Sequence, residues 1–377
     1  MAKRVLILTC DSGGGHRSVA EAITGALEHL FPGKYHFHLA DIMADGFRFP
    51  LNAAGRAYGP VVNRLPRTWG LLWHLTDGRR RSPLLLRAVA PLALGKLATI
   101  LREARPHIVV STHPFANHLP ARLLRRLGSE TPLVTVVTDL VNIHHWWLCP
   151  EVDLCLVATE QARRRALSAG LPPDLVKVVG LPVGLEFVRD FRDKAEVRRR
   201  LGLATDVHTL LIAGGGDGMG SVFSTARAAA QVAPDIQLVI VAGRNRTLKA
   251  RLETATWKVP TTVVGFVDNM ADFMHAADLL ITKAGPSTIS EALACGLPML
   301  ISGALLGQEE GNADWALETG AAMLTTTPPE VTSSLQTLLR NGLQVLTDMG
   351  HKARQAARPD AALRAATLID QVASEGR

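Results

Sequence analysis

The sequence is poor in aromatics and cysteine, and it holds no uninterrupted apolar run long enough to cross a bilayer. Aromatic residues occupy 5% of 377 positions, and no RNA-binding aromatic signature, zinc-finger spacing or heptad array accompanies them, which argues against a nucleic-acid partner. The four cysteines, Cys10, Cys149, Cys155 and Cys295, include no C-x-x-C pair. Three lie in or beside apolar strand-like runs, the pattern of buried free thiols in a reducing compartment. The longest apolar stretch, residues 83–101, contains Arg87 and Lys96 and falls short of the roughly 20 apolar residues that a spanning helix needs. It is expected to lie on a membrane rather than cross one. Met1-Ala2-Lys3-Arg4 runs straight into a strand-like stretch without a signal-peptide pattern, so the expected compartment is the cytoplasm. Tandem repeats and low-complexity tracts are also missing.

Acidic residues are scarce in one half only. The first 186 residues carry 22 Lys+Arg against 14 Asp+Glu, a net +8, while the remainder carries 19 against 20, a net −1, which recovers the total of +7. Eighteen of those 22 are Arg, including Arg79, Arg80 and Arg81 and then Arg163, Arg164 and Arg165. Such a half suits an anionic partner, whether a membrane leaflet or a charged substrate. A length of 377 residues with 47% hydrophobic composition exceeds one ordinary core and predicts two domains of similar size.

Short apolar runs at residues 5–10, 108–111, 133–138, 154–158 and 176–179 alternate with amphipathic helical stretches. That alternation predicts a parallel, doubly wound α/β sheet. After Gly180-Leu181-Pro182-Val183-Gly184 comes a charged stretch at 189–200 and a fresh series at 209–213, 238–242, 261–264, 279–282 and 299–302, a second Rossmann-like domain. The expected division is a first domain over 1–184, a second over 185–347 and a helical, Ala-rich tail over 348–377. Residues 47–83 break the alternation and read as an insertion. Within it Leu71, Leu72, Trp73 and Leu75 stand near Arg64, Arg67 and Arg79 to Arg81, the mixture of a segment entering a headgroup region. A solvated loop with packed aromatics explains the same residues equally well.

Two strand-to-helix junctions carry chemistry. The first, Asp11-Ser12-Gly13-Gly14-Gly15-His16-Arg17, combines glycines that admit a ligand to the backbone with a helix start that favours anionic oxygens. It lacks the Walker A lysine and the G-x-G-x-x-G spacing. His16 at this point suits general-base work. The second places five glycines among seven residues, 214–220, a backbone opened to a ligand such as a diphosphate through Gly215, Gly216 and Gly218. His113, His118, His144 and His145 supply no convincing carboxylate-supported metal set, so neither a metal nor another cofactor is expected.

Residues 263–270, Val-Val-Gly-Phe-Val-Asp-Asn-Met, and 277–292, Ala-Asp-Leu-Leu-Ile-Thr-Lys-Ala-Gly-Pro-Ser-Thr-Ile-Ser-Glu-Ala, resemble the second domain of a glycosyltransferase group. It contains the monogalactosyldiacylglycerol synthases, the processive diacylglycerol glucosyltransferases and the more distant peptidoglycan N-acetylglucosaminyl transferase, and the resemblance covers nearly the whole chain. It implies the GT-B fold, two Rossmann-like domains facing a central cleft. It further implies that Phe266 and Val267 hold a uracil, that Glu291 binds the ribose hydroxyls, and that Gly285, Pro286, Ser287 and Thr288 lie beneath a diphosphate. Ser287 stands where the galactolipid enzymes more usually have glycine. The run Gly307-Gln308-Glu309-Glu310-Gly311-Asn312 is similar to the sugar-reading loop, which assigns Gln308, Glu309 and Asn312 to hexose hydroxyls. On the acceptor side the 11–17 loop is similar to that of the galactolipid synthases, with Gly14 and Gly15 beside the ligand, His16 as base, and Asp11 or Asp139 orienting it.

The expected function is inverting transfer of galactose or glucose from a UDP-sugar to diacylglycerol, giving a β-glycoside at an anionic surface on the cytoplasmic face of the membrane, to which the protein is bound peripherally. The rivals are a UDP-sugar 2-epimerase, a UDP-sugar transferase with another lipid acceptor, and a non-catalytic sensor of UDP-sugar.

Overall fold

The short apolar runs become parallel strands, most of them buried on both faces, as crossover helices on both sides of a sheet require. The computed structural model describes residues 2–11, 14–188, 193–232, 235–340 and 343–375. Ser12 and Gly13 of the first glycine loop and the first residues of the charged 189–200 stretch lie outside the described residues, as does the side chain of Arg64.

The chain divides into two units: Met1–Leu185 with Leu306–Gln308 and Asp360–Arg377, and Glu186–Leu305 with Glu309–Pro359. The first contains β1 (Lys3–Thr9), α1 (Gly15–Leu30), β2 (Tyr35–Asp41), α2 (Ala54–Arg64), α3 (Pro66–Thr76), α4 (Arg81–Ala104), β3 (Ile108–Ser111), α5 (His118–Arg126), β4 (Leu133–Val136), β5 (Leu154–Val157), α6 (Glu160–Ser168) and β6 (Val176–Val178). Its six strands form a parallel sheet in the order β2-β1-β3-β4-β5-β6. The second unit contains α7 (Lys194–Arg200), β7 (His208–Ala213), α8 (Val222–Ala229), β8 (Ile236–Val241), α9 (Arg246–Glu253), β9 (Thr261–Val264), α10 (Met270–Ala276), β10 (Leu279–Thr282), α11 (Pro286–Ala294), β11 (Met299–Ile301), α12 (Glu310–Glu318), β12 (Ala322–Leu324), α13 (Pro328–Arg340) and α14 (Leu343–Ala356). Its sheet is again parallel, in the order β12-β11-β10-β7-β8-β9.

The Ala-rich tail is helical: α14 packs against α11, whereas the last helix, α15 (Ala361–Glu375), packs along α1, where Asp370 accepts the Tyr35 hydroxyl at 2.5 Å and pairs with Lys34. Residues 47–83 are mostly helical, forming α2, α3 and the start of α4. Helix α4 runs for 24 residues and is long and apolar enough to cross a bilayer, unlike the shorter stretch read from the sequence. Its Ala90, Ala93, Leu97, Ile100 and Leu101 belong to the core of the first unit, whereas Leu84 and Leu85 near its start are exposed.

Candidate active site

In each unit the strand order reverses beside the first strand, between β1 and β3 in one and between β7 and β10 in the other. Open α/β sheets bind ligands in the crevice beyond the carboxyl ends of the strands at such a point. Both glycine loops lie there.

In the first unit Gly14 turns the chain from β1 into α1 with φ 84°, a left-handed conformation that glycine adopts without strain. His16 occupies the first turn of α1. Its Nδ1 lies 2.8 Å from the Thr138 hydroxyl, and its ring meets His113 edge-on at 4.7 Å and Trp147 at 6.0 Å. Burial lowers the His16 pKa to about 4, against the opposing effects of a hydrogen bond at the Thr112 main chain and the charge of Asp41. The imidazole is therefore neutral near pH 7 and able to accept a proton.

Thr138 and Thr112 make the hydrogen bonds to the His16 ring. Asp11 is exposed, and its amide donates to Asp41 Oδ2 at 3.1 Å. Asp139 is buried, accepting Trp147 Nε1 at 2.7 Å and, more distantly, Gln308 Nε2 at 3.5 Å. The Trp147 ring that Asp139 holds lies 6.0 Å from the imidazole, and Asp41 is a carboxylate whose charge raises the His16 pKa. Asp41 carries no motif; it ends an edge strand whose polar sequence does not read as a strand.

Gln308 sits with the first unit, where its carbonyl oxygen accepts the Tyr58 hydroxyl at 3.2 Å and the Gly307 carbonyl accepts Asn142 Nδ2 at 3.1 Å. The histidines beside this region are also tied down. His145 Nδ1 lies 2.6 Å from Asp77 Oδ1, and Arg165 donates to the other oxygen at 2.5 Å. Burial opposes ionisation of Asp77, yet the bonds from His145 and the charges of His144 and Arg165 hold it below the usual carboxylate range.

In the second unit β7 enters the glycine run and β10 enters Lys283-Ala284-Gly285. The glycines divide by role. A Cβ at Gly218, which has φ 57°, would lie 2.2 Å from the Ala242 carbonyl oxygen, so packing within the loop demands glycine there. Gly215 (φ 72°) faces Lys283, with the nearest atom, Cε, 3.8 Å from its would-be Cβ, and the Gly216 carbonyl accepts the Arg244 amide at 2.8 Å. Gly285 caps α11 without a side chain, and Pro286 opens the helix. The Ser287 and Thr288 amides consequently have no helical acceptor and face the switch point. Glu291 is buried on the same helix, 8% exposed. Phe266 is 53% exposed, with the Arg244 guanidinium 4.8 Å above its ring and Val267 half-buried beside it.

Gln308 bonds within the first unit, Asn312 donates to the Ala284 carbonyl at 3.2 Å, and Glu309 is buried in an ion pair with Lys283. Lys283 and Arg244 have no assigned part in the sequence motifs. The usable signal for Lys283 is its place immediately after a strand at the switch point.

Residues 16–183 match the family model for monogalactosyldiacylglycerol synthase, and residues 209–365 match the C-terminal domain of glycosyltransferase family 28. The chain is 36% identical over 379 residues to the chloroplastic monogalactosyldiacylglycerol synthase of Spinacia oleracea, covering 98% of this chain and 72% of that protein. Among solved structures, MurG of Acinetobacter baumannii superposes with a TM-score of 0.64 at 17% identity, covering 99% of this chain and all (100%) of that one. The UDP-GlcNAc 2-epimerase of Neisseria meningitidis, bound to UDP-GlcNAc, gives 0.61 at 12% identity over 98% of this chain and 100% of that one. The structural likenesses establish the fold alone; it is one that transferases and epimerases share.

Proposed function

The chain belongs to the monogalactosyldiacylglycerol synthase family, and from that premise we propose that it transfers a hexose, with inversion, from a UDP-sugar to diacylglycerol at a membrane surface. The observation that carries this reading is His16, a neutral imidazole in the first turn of α1, fixed by Thr138 and Thr112 at a switch point. In the reaction the acceptor hydroxyl attacks the anomeric carbon from the face opposite UDP and its proton passes to His16. The bond from that carbon to the diphosphate oxygen breaks and its electron pair departs with UDP, so an α-linked donor yields a β-glycoside.

Donor binding falls to the second unit. The amides of Ser287 and Thr288 and the backbone around Gly215 and Gly216 suit a diphosphate. Glu291 suits a ribose diol through charge-assisted hydrogen bonds, and Phe266 with Val267 suits a uracil. Galactose is the favoured hexose, since the relatives that span the chain are named for it. The spinach enzyme also favours transfer over epimerisation, because the likeness to it is 36% identity and that to the epimerase 12%.

Membrane contact is assigned to α3 and the start of α4. Leu65, Leu71, Leu72, Leu75, Leu84 and Leu85 are exposed there among exposed Arg67, Arg79, Arg80 and Arg81, a composition suited to an anionic interface. Trp73 is excluded from this surface: its ring packs 4.8 Å from His144 and closely over Gly307. The reading is tested by replacing His16 with Ala and measuring sugar transfer alongside UDP affinity. Loss of transfer with UDP affinity retained supports it, and wild-type transfer removes His16 as the base.

A further inference from the structure

Lys283 leaves the end of β10 and reaches towards both backbone turns of the second unit. Its Cε lies 3.8 Å from the position a Cβ would take at Gly215, and its Nζ 3.0 Å from the same position at Gly285. The side chain is 12% exposed and forms an ion pair with Glu309, itself 3% exposed. Glu309 is fixed in turn, its second oxygen accepting the Leu305 amide at 3.1 Å. The buried Ser287 hydroxyl, in the first turn of α11, has no hydrogen-bond partner, and neither has the buried carbonyl oxygen of Asn312, on α12, whose amide reaches the Ala284 carbonyl.

An ammonium withdrawn from water is costly unless paired, and this one is paired on a single side by an anchored carboxylate. Its remaining donors border two turns of open backbone. We propose that Lys283 is the residue that binds and neutralises the diphosphate of the nucleoside-diphosphate donor, with Glu309 holding it in place and the Ser287 hydroxyl donating beside it. The inference rests on the donor assignment made above and deepens it. As the glycosidic bond breaks, the electron pair stays on the β-phosphate oxygen, where the fixed ammonium opposes the added charge. The acceptor's proton goes to His16.

The test compares UDP with uridine, which differ only in the diphosphate, by calorimetric titration of the full chain. The wild-type protein is expected to prefer UDP. Lys283→Met is expected to lose at least about tenfold in UDP affinity with uridine affinity unchanged, and Lys283→Arg to recover part of the loss. Because Lys283→Met leaves a buried carboxylate unpaired, the double variant Lys283→Met/Glu309→Gln removes both charges and is expected to show the same loss. A folded double variant that still prefers UDP as strongly as wild type would overturn the role of Lys283. Wild-type protein that binds neither ligand would overturn the donor assignment itself, and this inference with it.

Discussion

In the proposed reaction a single imidazole carries the chemistry of the first unit, and its environment sets what it does. Burial drives His16 to a pKa of about 4, and the same cause takes His144 to about 4 and His113 well below its usual value. Replacing His16 with Ala is expected to reduce transfer by about 10²- to 10⁴-fold, the usual contribution of general acid–base catalysis, while UDP affinity stays within twofold or so. The free enzyme's rate profile should show no acidic limb from this group between about pH 5.5 and 8; a limb near 6.5 would assign the base elsewhere. Stability follows the same shifts with a definite sign. Between about pH 6.5 and 4 the unfolded chain binds protons that the folded rings refuse, so folding stability falls as pH falls through that window. Urea midpoints from pH 7.5 to 4.5 check this, and a flat profile contradicts it. His16 was legible because glycine before a helix start is a local signal. Thr138, Asp41 and Lys283 were not assigned their parts, since each acts through distances between strands far apart in sequence.

At the scale of elements, ten of the strands, the central ones buried on both faces and the edge strands β6 and β9, were readable as apolar runs and match within about two residues. The two that escaped, β2 and β12, are edge strands. β2 reads Tyr-His-Phe-His-Leu-Ala-Asp and keeps a largely solvated face, so neither continuous apolarity nor clean alternation marks it. The helices of residues 47–83 escaped because α2 and α3 contain Gly, Pro and Trp in place of strong helix formers, and their packing residues, such as Gly70, have little apolar signature. Two element-level changes follow from the geometry. Gly218→Ala should destabilise the second unit by about 1–3 kcal/mol, through the left-handed φ and the Ala242 carbonyl, measured as a lower denaturant midpoint. Leu71→Ser with Leu72→Ser should weaken sedimentation with anionic vesicles severalfold while changing stability by no more than about 0.5 kcal/mol each. Unchanged vesicle binding would move the membrane contact away from α3.

Over the whole molecule, two doubly wound sheets each present a ligand-binding edge at a switch point, and the two edges differ in chemistry. One carries a neutral base among aromatic rings; the other carries open amides, a buried cation and a buried carboxylate. Fold by itself leaves an epimerase open, whereas identity along 98% of the chain to a galactolipid synthase points to transfer. The central claim is tested most directly by incubating the purified protein with radiolabelled UDP-galactose, and separately UDP-glucose, in anionic liposomes containing diacylglycerol, then separating the lipids. A labelled β-glycosyldiacylglycerol that forms only with acceptor present is the predicted result. Measurable UDP binding without labelled lipid, or an epimeric sugar formed in the absence of acceptor, would contradict it.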